Sequence, residues 1–213
     1  MPGSAEPADA DPRRLLARPA AEVAPQLLGW TLSHTTEEGT VTVRLTEVEA
    51  YMGADDPASH AYRGPTPRSV VMFGHAGHLY TYFSYGMHWC CNVVTGVEGH
   101  ASAVLLRAGR VVAGQDLARR RRGERTRERS LARGPGCLGQ ALGLGRDHNG
   151  ADLLAGGALR LAPAPQPVPP AAVSSGPRVG VSTAHDLPWR FWVSGDETVS
   201  AYKRSPRAPK SRS

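Results

Sequence analysis

Apolar and polar positions alternate most regularly between Val41 and Tyr51. Val41, Val43 and Leu45 interleave with Thr42, Arg44 and Thr46, and the same phase runs on into Glu47, Glu49 and Tyr51. A period of two is that of a strand with one buried face. If no bulge intervenes, the carboxylates leave the core face of that strand. Trp30 to His34 is also strand-like, and the polar Glu37-Glu38-Gly39-Thr40 between the two runs predicts a hairpin turn. Upstream, Arg13 to Leu28 reads as one or two short helices broken around Pro19 and Pro25.

Further along, Gly53 to Arg68 is a polar loop rich in Pro and Gly, and Ser69 to Phe73 is too short to type. Leu79 to Ser84 and Met87 to Val94 predict a second hairpin pivoting at Tyr85-Gly86, which puts Tyr85 at the tip and lets the glycine supply a positive φ. Ala103 to Ala108 is a short apolar strand, and Val111 to Arg133 has mixed helical character interrupted by Gly114 and Gly123. Ala162 to Pro170 is a Pro-rich connector, followed by closing strands at Arg178 to Ser182 and Trp189 to Ser194. Strands outnumber helices without regular alternation or internal repeat. The expected class is mixed α/β (α+β), a single domain with a curved, mainly antiparallel sheet. Its expected bounds are 13–202, between an unstructured segment 1–12 and a basic, unstructured tail 203–213.

Composition sharpens this picture in two places. The net charge is +6, but ten arginines lie between Arg107 and Arg133 against Asp116, Glu124 and Glu128, a surplus of seven, so the rest of the chain sums to about −1. One basic tract suits a surface that tracks phosphates and releases their counterions, although a solvated helix face would look the same. Lysine occurs only at 203 and 210. The three cysteines, Cys90, Cys91 and Cys137, are an odd set that cannot close a disulfide framework. With no basic segment and apolar run at the N-terminus, and no apolar stretch long enough for a membrane span, an intracellular protein is expected.

Candidate chemistry concentrates near the second hairpin. Leu79-Tyr-Thr-Tyr-Phe-Ser-Tyr-Gly-Met-His-Trp89 gathers aromatics downstream of Glu47-Val-Glu-Ala-Tyr51, a combination suited to stacking on a nucleobase and to chemistry at its sugar bond. Glu49, buried among Tyr51, Tyr80 and Tyr82, would be a general base, against the alternative of an ion-paired strand end. Tyr51, Tyr82 and His60 could sandwich a planar ligand or simply pack a core. His75, His78, His88, Cys90 and Cys91 match no metal-binding spacing, and no metal or cofactor is expected.

Several motifs then carry a resemblance. Glu47-Val-Glu-Ala-Tyr-Met-Gly53, Asp56 to His60, Thr66-Pro-Arg68, Met72-Phe73, Gly77-His-Leu-Tyr80, Tyr85-Gly-Met-His-Trp89, Leu105-Leu-Arg-Ala108 and Arg178-Val-Gly-Val181 occur in order. From about Arg14 to Gly195 the chain resembles the alkyladenine (3-methyladenine) DNA glycosylases. The resemblance implies a hairpin that enters the minor groove while a damaged purine is flipped into a pocket. It implies that Glu49 activates water and that Arg107 supports the water and the flipped nucleotide. By the same resemblance Tyr51, His60 and Tyr82 enclose the base, Asn92 crowds the exocyclic amine of guanine, and Tyr85 fills the gap in the duplex with Met87 beside it. Thr66, Arg68 and the run Arg119, Arg120, Arg121 and Arg122 are the expected DNA-backbone contacts. The expected partner is double-stranded DNA containing damaged purines, met by a monomer without membrane attachment, in the cytoplasm or at the nucleoid. Pro65, Ser69 and Cys137 depart from the family pattern and put local scaffold contacts in question.

The physical reading is compatible with this. An N3- or N7-alkylated purine is cationic and gains about 0.5 to 2 kcal/mol from electron-rich tyrosine faces. A non-catalytic nucleic-acid-binding module, or a bifunctional enzyme that also cleaves the strand through an amine, are the rival readings.

Overall fold

The alternating run forms the middle of β2 (Gly39–Tyr51), which pairs with β1 (Thr31–Thr36), β5 (Ala103–Ala113) and β9 (Arg190–Val193). The structure is a computed structural model that describes residues 11–84 and 86–209. Within these residues the sheet runs β3 (Leu79–Ser84), β4 (His88–Val94), β5, β2, β1, β7 (Leu159–Ala162). Two short strands complete it, β6 (Ala132–Arg133) on β5 and β8 (Val173–Gly176) on β9. All of these pairings are antiparallel, as expected for this class. The helices are short: α1 (Pro12–Leu16), α2 (Ala20–Val23), α3 (Gln115–Arg122) and α4 (Pro135–Leu142). Asp11 caps α1 by accepting from Arg13 N–H, with Pro12 in the first turn where its missing donor costs nothing. No helix among the described residues is long and apolar enough to cross a membrane.

A bulge does intervene in β2, and it decides where the carboxylates go. Leu45 faces Gly109 and Glu47 faces Ala108, so Thr46 has no opposite residue; Val48 then faces Leu106, so Arg107 on β5 has none either. At this break each strand therefore carries one extra residue, which reverses the facing of its side chains. Before the break Val41, Val43 and Leu45 point into the main core, and after it Val48 and Ala50 do. On β5, Val111 belongs to that core on one side of the break, and Val104 and Leu106 on the other. Had the original phase continued, Glu47, Glu49 and Tyr51 would enter the apolar layer. Instead they share the opposite face with Leu105 and Arg107.

Three further expectations are corrected. β5 does not end at Ala108 but continues to Ala113, with Arg110 held by Asp196 and Glu197. Arg178 to Ser182 is not a strand: Pro177 lacks an N–H, Val179 N–H donates to a Glu49 side-chain oxygen, and Gly180 turns the chain at φ 73°. Residues 203–209, expected to lack structure, touch the domain, since Gly180 N–H donates to the Lys203 carbonyl and Ser205 and Ala208 are buried.

α4 and β7 had no clear signature. α4 opens with Pro135 and closes at Gly143 in the left-handed region, and its glycines let it lie against β4. A Cβ on Gly139 would sit 2.1 Å from the Trp89 carbonyl oxygen, and one on Gly136 would sit 2.8 Å from the His88 side chain. Gly139→Ala is therefore expected to destabilise the domain by about 1 to 3 kcal/mol in chemical denaturation. Gly157→Ala, where nothing lies within 4 Å, is the matched control and should be near neutral.

Candidate active site

The face exposed by the paired bulges holds two carboxylates with no solvent exposure, Glu47 and Glu49. A buried charge persists only with partners, and both have them. Glu47 Oε1 accepts from Arg107 Nε (2.9 Å), Arg190 Nε (2.7 Å) and Ser200 Oγ (2.9 Å), while Oε2 accepts from Ser200 N–H (2.6 Å). Glu49 Oε1 accepts from Val179 N–H at 2.7 Å and Oε2 from the Tyr51 hydroxyl at 2.9 Å. Arg107 Nη1 approaches Glu49 Oε2 at 3.3 Å and so links the two acids. Burial by itself would raise the Glu47 pKa, but Arg107 and Arg190 outweigh it and hold the group below its usual range. Burial likewise opposes the Arg107 charge, yet Glu49 and Glu47 raise its pKa further above the ordinary arginine value.

Above this network opens a cavity of about 610 Å³. Tyr51, His60, Tyr82, Asn92, Leu105 and Arg107 line it, together with Arg68 and the segment 179–183. Glu49 does not line it but lies beneath, in contact with three residues that do: Tyr51, Arg107 and Val179. The rings of His60 and Tyr82 meet edge-on with centroids 4.6 Å apart, and His60 Nδ1 lies 3.1 Å from the Tyr80 hydroxyl. Asn92 is fixed by donating from Nδ2 to the Tyr80 carbonyl. Burial, followed by the Glu49 charge, keeps the Tyr51 phenol protonated well beyond its normal range. The Tyr82 phenol is raised by burial first, with Cys90 and Glu49 adding to the effect.

Arg178 is fully covered and was not foreseen as part of the site machinery. Its guanidinium bonds both Asp56 oxygens (2.5 and 2.8 Å) and the Ala50 carbonyl. It also lies over the rings of Tyr51 (4.6 Å) and Trp189 (5.1 Å). This clamp fixes both Tyr51 and the segment whose Val179 N–H reaches Glu49. Arginine suits it because a planar cation can stack and bond carboxylate at once. Glu47 could have been found from sequence, since residues two apart on a strand share a face with Glu49. Arg190 and Ser200 had no such signal.

The expected backbone-contact residues divide. Arg68 is on the cavity wall, 5.2 Å over the Tyr82 ring. Thr66 and Ser69 bond each other reciprocally through hydroxyls and main-chain N–H groups, so serine completes that turn in this chain. Arg121 is held by Thr36, Glu38 and the Ala141 carbonyl, and Arg122 by Gln140, Cys137 and the Leu131 carbonyl. Arg119 pairs with Asp116, Arg120 is exposed, and none of the four lines the cavity. Cys137 thus serves as an acceptor for Arg122. At the hairpin end Met87 is 68% exposed and Phe83 47%; Tyr85 lies outside the described residues. Among the described residues no three His, Cys, Asp or Glu side chains converge as a metal site requires.

His60 keeps an edge in solvent, but partial burial and then the nearby Arg68 charge lower its pKa to about 4. Because the folded domain favours the neutral ring, this contribution to stability is full above the unfolded value of 6.5 and is lost as pH falls toward 4. In NMR titration the His60 ring resonances should hold their neutral positions from about pH 8 to about pH 5.5. A midpoint near 6.5 would contradict the described environment.

Comparison with known proteins bears on the same residues. The family model described as methylpurine-DNA glycosylase matches residues 14–197, which include β2, the second hairpin and the 178–181 segment. Relatives provisionally named 3-methyladenine DNA glycosylase include one from Streptomyces avermitilis, 52% identical over 92% of this chain and 93% of its own length. One from Cutibacterium acnes is 54% identical over 87% of this chain and 96% of its own, and one from Burkholderia orbicola 47% over 89% and 90%. A match over residues 14–197, a span that contains Glu47, Glu49 and the residues lining the cavity in this chain, makes it a member of the methylpurine-DNA glycosylase family and a DNA-repair glycosylase.

Proposed function

We propose that this glycosylase releases alkylated and deaminated purines, of the 3-methyladenine, 7-methylguanine, hypoxanthine and etheno-adenine class, through a water activated by Glu49. One observation carries the reading: a wholly buried carboxylate lies beneath an aromatic cavity and contacts its floor through Tyr51, Val179 and Arg107. A purine turned out of the duplex stacks among Tyr51, His60 and Tyr82, with Asn92 beside it. Water delivered next to Glu49 gives its proton to the carboxylate as its oxygen bonds the anomeric carbon, and the bond to the base breaks with its electron pair going to the purine, which neutralises a cationic alkylated base and releases a neutral purine as an anion that takes a proton from solvent. The carboxylate also stabilises the positive charge that develops on the sugar. Arg107 orients the acid and the nucleotide.

Extrusion of a base needs something to replace lost stacking, worth about 1 to 3 kcal/mol per base. In this reading that end of the second hairpin enters the minor groove with Tyr85 as the wedge, which the exposure of the Phe83 and Met87 side chains supports. Arg120, with the exposed Arg125 and Arg127, meets phosphates and supplies affinity without reading sequence. The enzyme acts as a monomer at intracellular DNA.

The main chain of the exposed Lys203 touches the cavity-wall residue Gly180. An amine there would suit a bifunctional, strand-cleaving reaction. The water mechanism predicts instead that wild-type enzyme leaves strands intact until alkali is added and yields no borohydride-trapped adduct. Glu49→Gln should abolish excision in single turnover while leaving affinity for lesion duplex within about threefold. Near-normal excision by Glu49→Gln would remove the general base, and an adduct lost in Lys203→Ala would establish the amine route.

A further inference from the structure

The Glu47 cluster is buried beside the reaction centre yet has no part in the chemistry above. Arg107 leans toward Glu47: its Nε is 2.9 Å from Glu47 Oε1, and its Nη2 is 3.3 Å from Ser200 Oγ. Only Nη1 faces Glu49, at 3.3 Å. Arg190 closes the arrangement from β9, with Nε on Glu47 and Nη2 on the Ser200 carbonyl at 2.7 Å. Two acids and two arginines therefore balance, with 0% exposure for Glu47 and Glu49, 6% for Arg107 and 4% for Arg190.

This division matters because an acid fully engaged by a guanidinium is a weak proton acceptor. A bidentate arginine pair favours the ionised carboxylate and lowers its basicity. Were Glu47 absent, the Arg107 fork would be free to turn its two-donor edge onto Glu49. We propose that Glu47, neutralised by Arg190 and braced by Ser200, is a positioning residue that shares Arg107 with Glu49 and so preserves the basicity of Glu49. The inference rests on Glu49 acting as the general base.

The other groups facing Glu49 do not substitute for Glu47. Tyr51 from β2 donates to it, and Tyr82 from β3 is a protonated phenol. Arg178, from the segment after β8, is committed to Asp56. Arg107 from β5 and Arg190 from β9 are the cations whose allocation Glu47 controls.

Two substitutions move the allocation in opposite directions. In Glu47→Gln the charges of Arg107 and Arg190 fall on Glu49, so its ionised form is favoured and the acid limb of excision moves to lower pH. In Arg190→Gln, Glu47 claims Arg107, the cluster gains a net negative charge, and the acid limb moves to higher pH. Single-turnover excision of hypoxanthine from a duplex, followed over pH, should show shifts of about one unit in each direction, with an about tenfold lower plateau for Glu47→Gln. Damage to the fold would lower amplitude without displacing the limbs oppositely, and circular dichroism melts would reveal it. If Glu47→Gln does not fold, Arg190→Gln carries the test alone, and an unmoved limb there overturns the proposal. Inert Glu49→Gln beside unmoved limbs rejects only the sharing of Arg107, whereas active Glu49→Gln rejects the general-base reading itself.

Discussion

The arrangement of this protein depends on the need of buried carboxylates for partners. Glu47 and Glu49 lie in the interior of the central strand pair, where an unpaired charge would cost several kcal/mol after relaxation. The fold meets this need with Arg107 from the adjacent strand, Arg190 from β9, and donors from Tyr51, Val179 and Ser200. Those donors come from segments far apart in the chain. The acids consequently help to determine where β9, the Arg178 segment and the residues after β9 sit.

Paired bulges reconcile that polar cluster with an apolar core. One extra residue in each of two neighbouring strands leaves the pairing before and after in the same relative register, while the facing of both strands reverses. Bulges commonly stand beside active sites because they redirect a side chain, and at this break the β5 residue without an opposite is Arg107 itself. Below the break the two strands contribute to the apolar layer with one set of positions, and above it with the other. The cavity wall of Leu105, Arg107 and Tyr51 follows from this reversal.

Much of this was legible in the sequence. Both hairpins, the short helices around Pro19 and Pro25, and the antiparallel class follow from alternation and turn residues, since these signals are local. The grouping of Glu49 and Tyr51 with Tyr82, His60, Asn92 and Arg107 came from motif resemblance, and the geometry brings all but Glu49 to one cavity, with Glu49 covered beneath it. The reversal at Thr46 was not legible, because a threonine at a bulge looks like any other polar alternate. α4 was hidden by glycines that serve close packing on β4, while the same residues read locally as helix breakers. The roles of Arg121 and Arg122 depend on partners at Glu38, Gln140 and Leu131. A run of arginines looks the same whether it meets phosphates or carbonyls.

Glu49 is fully covered, so the proposed mechanism requires water to come within reach of it when a nucleotide occupies the cavity. The most direct test is a crystal structure of the enzyme on a duplex carrying a cationic pyrrolidine abasic analogue, which mimics the charge of the reacting sugar. An ordered water is expected in hydrogen-bond contact with Glu49 and Arg107, placed on the face of the ring opposite to the one from which the base departs. A carboxylate still sealed under Tyr51 and Val179, with the water held by other residues, would contradict it.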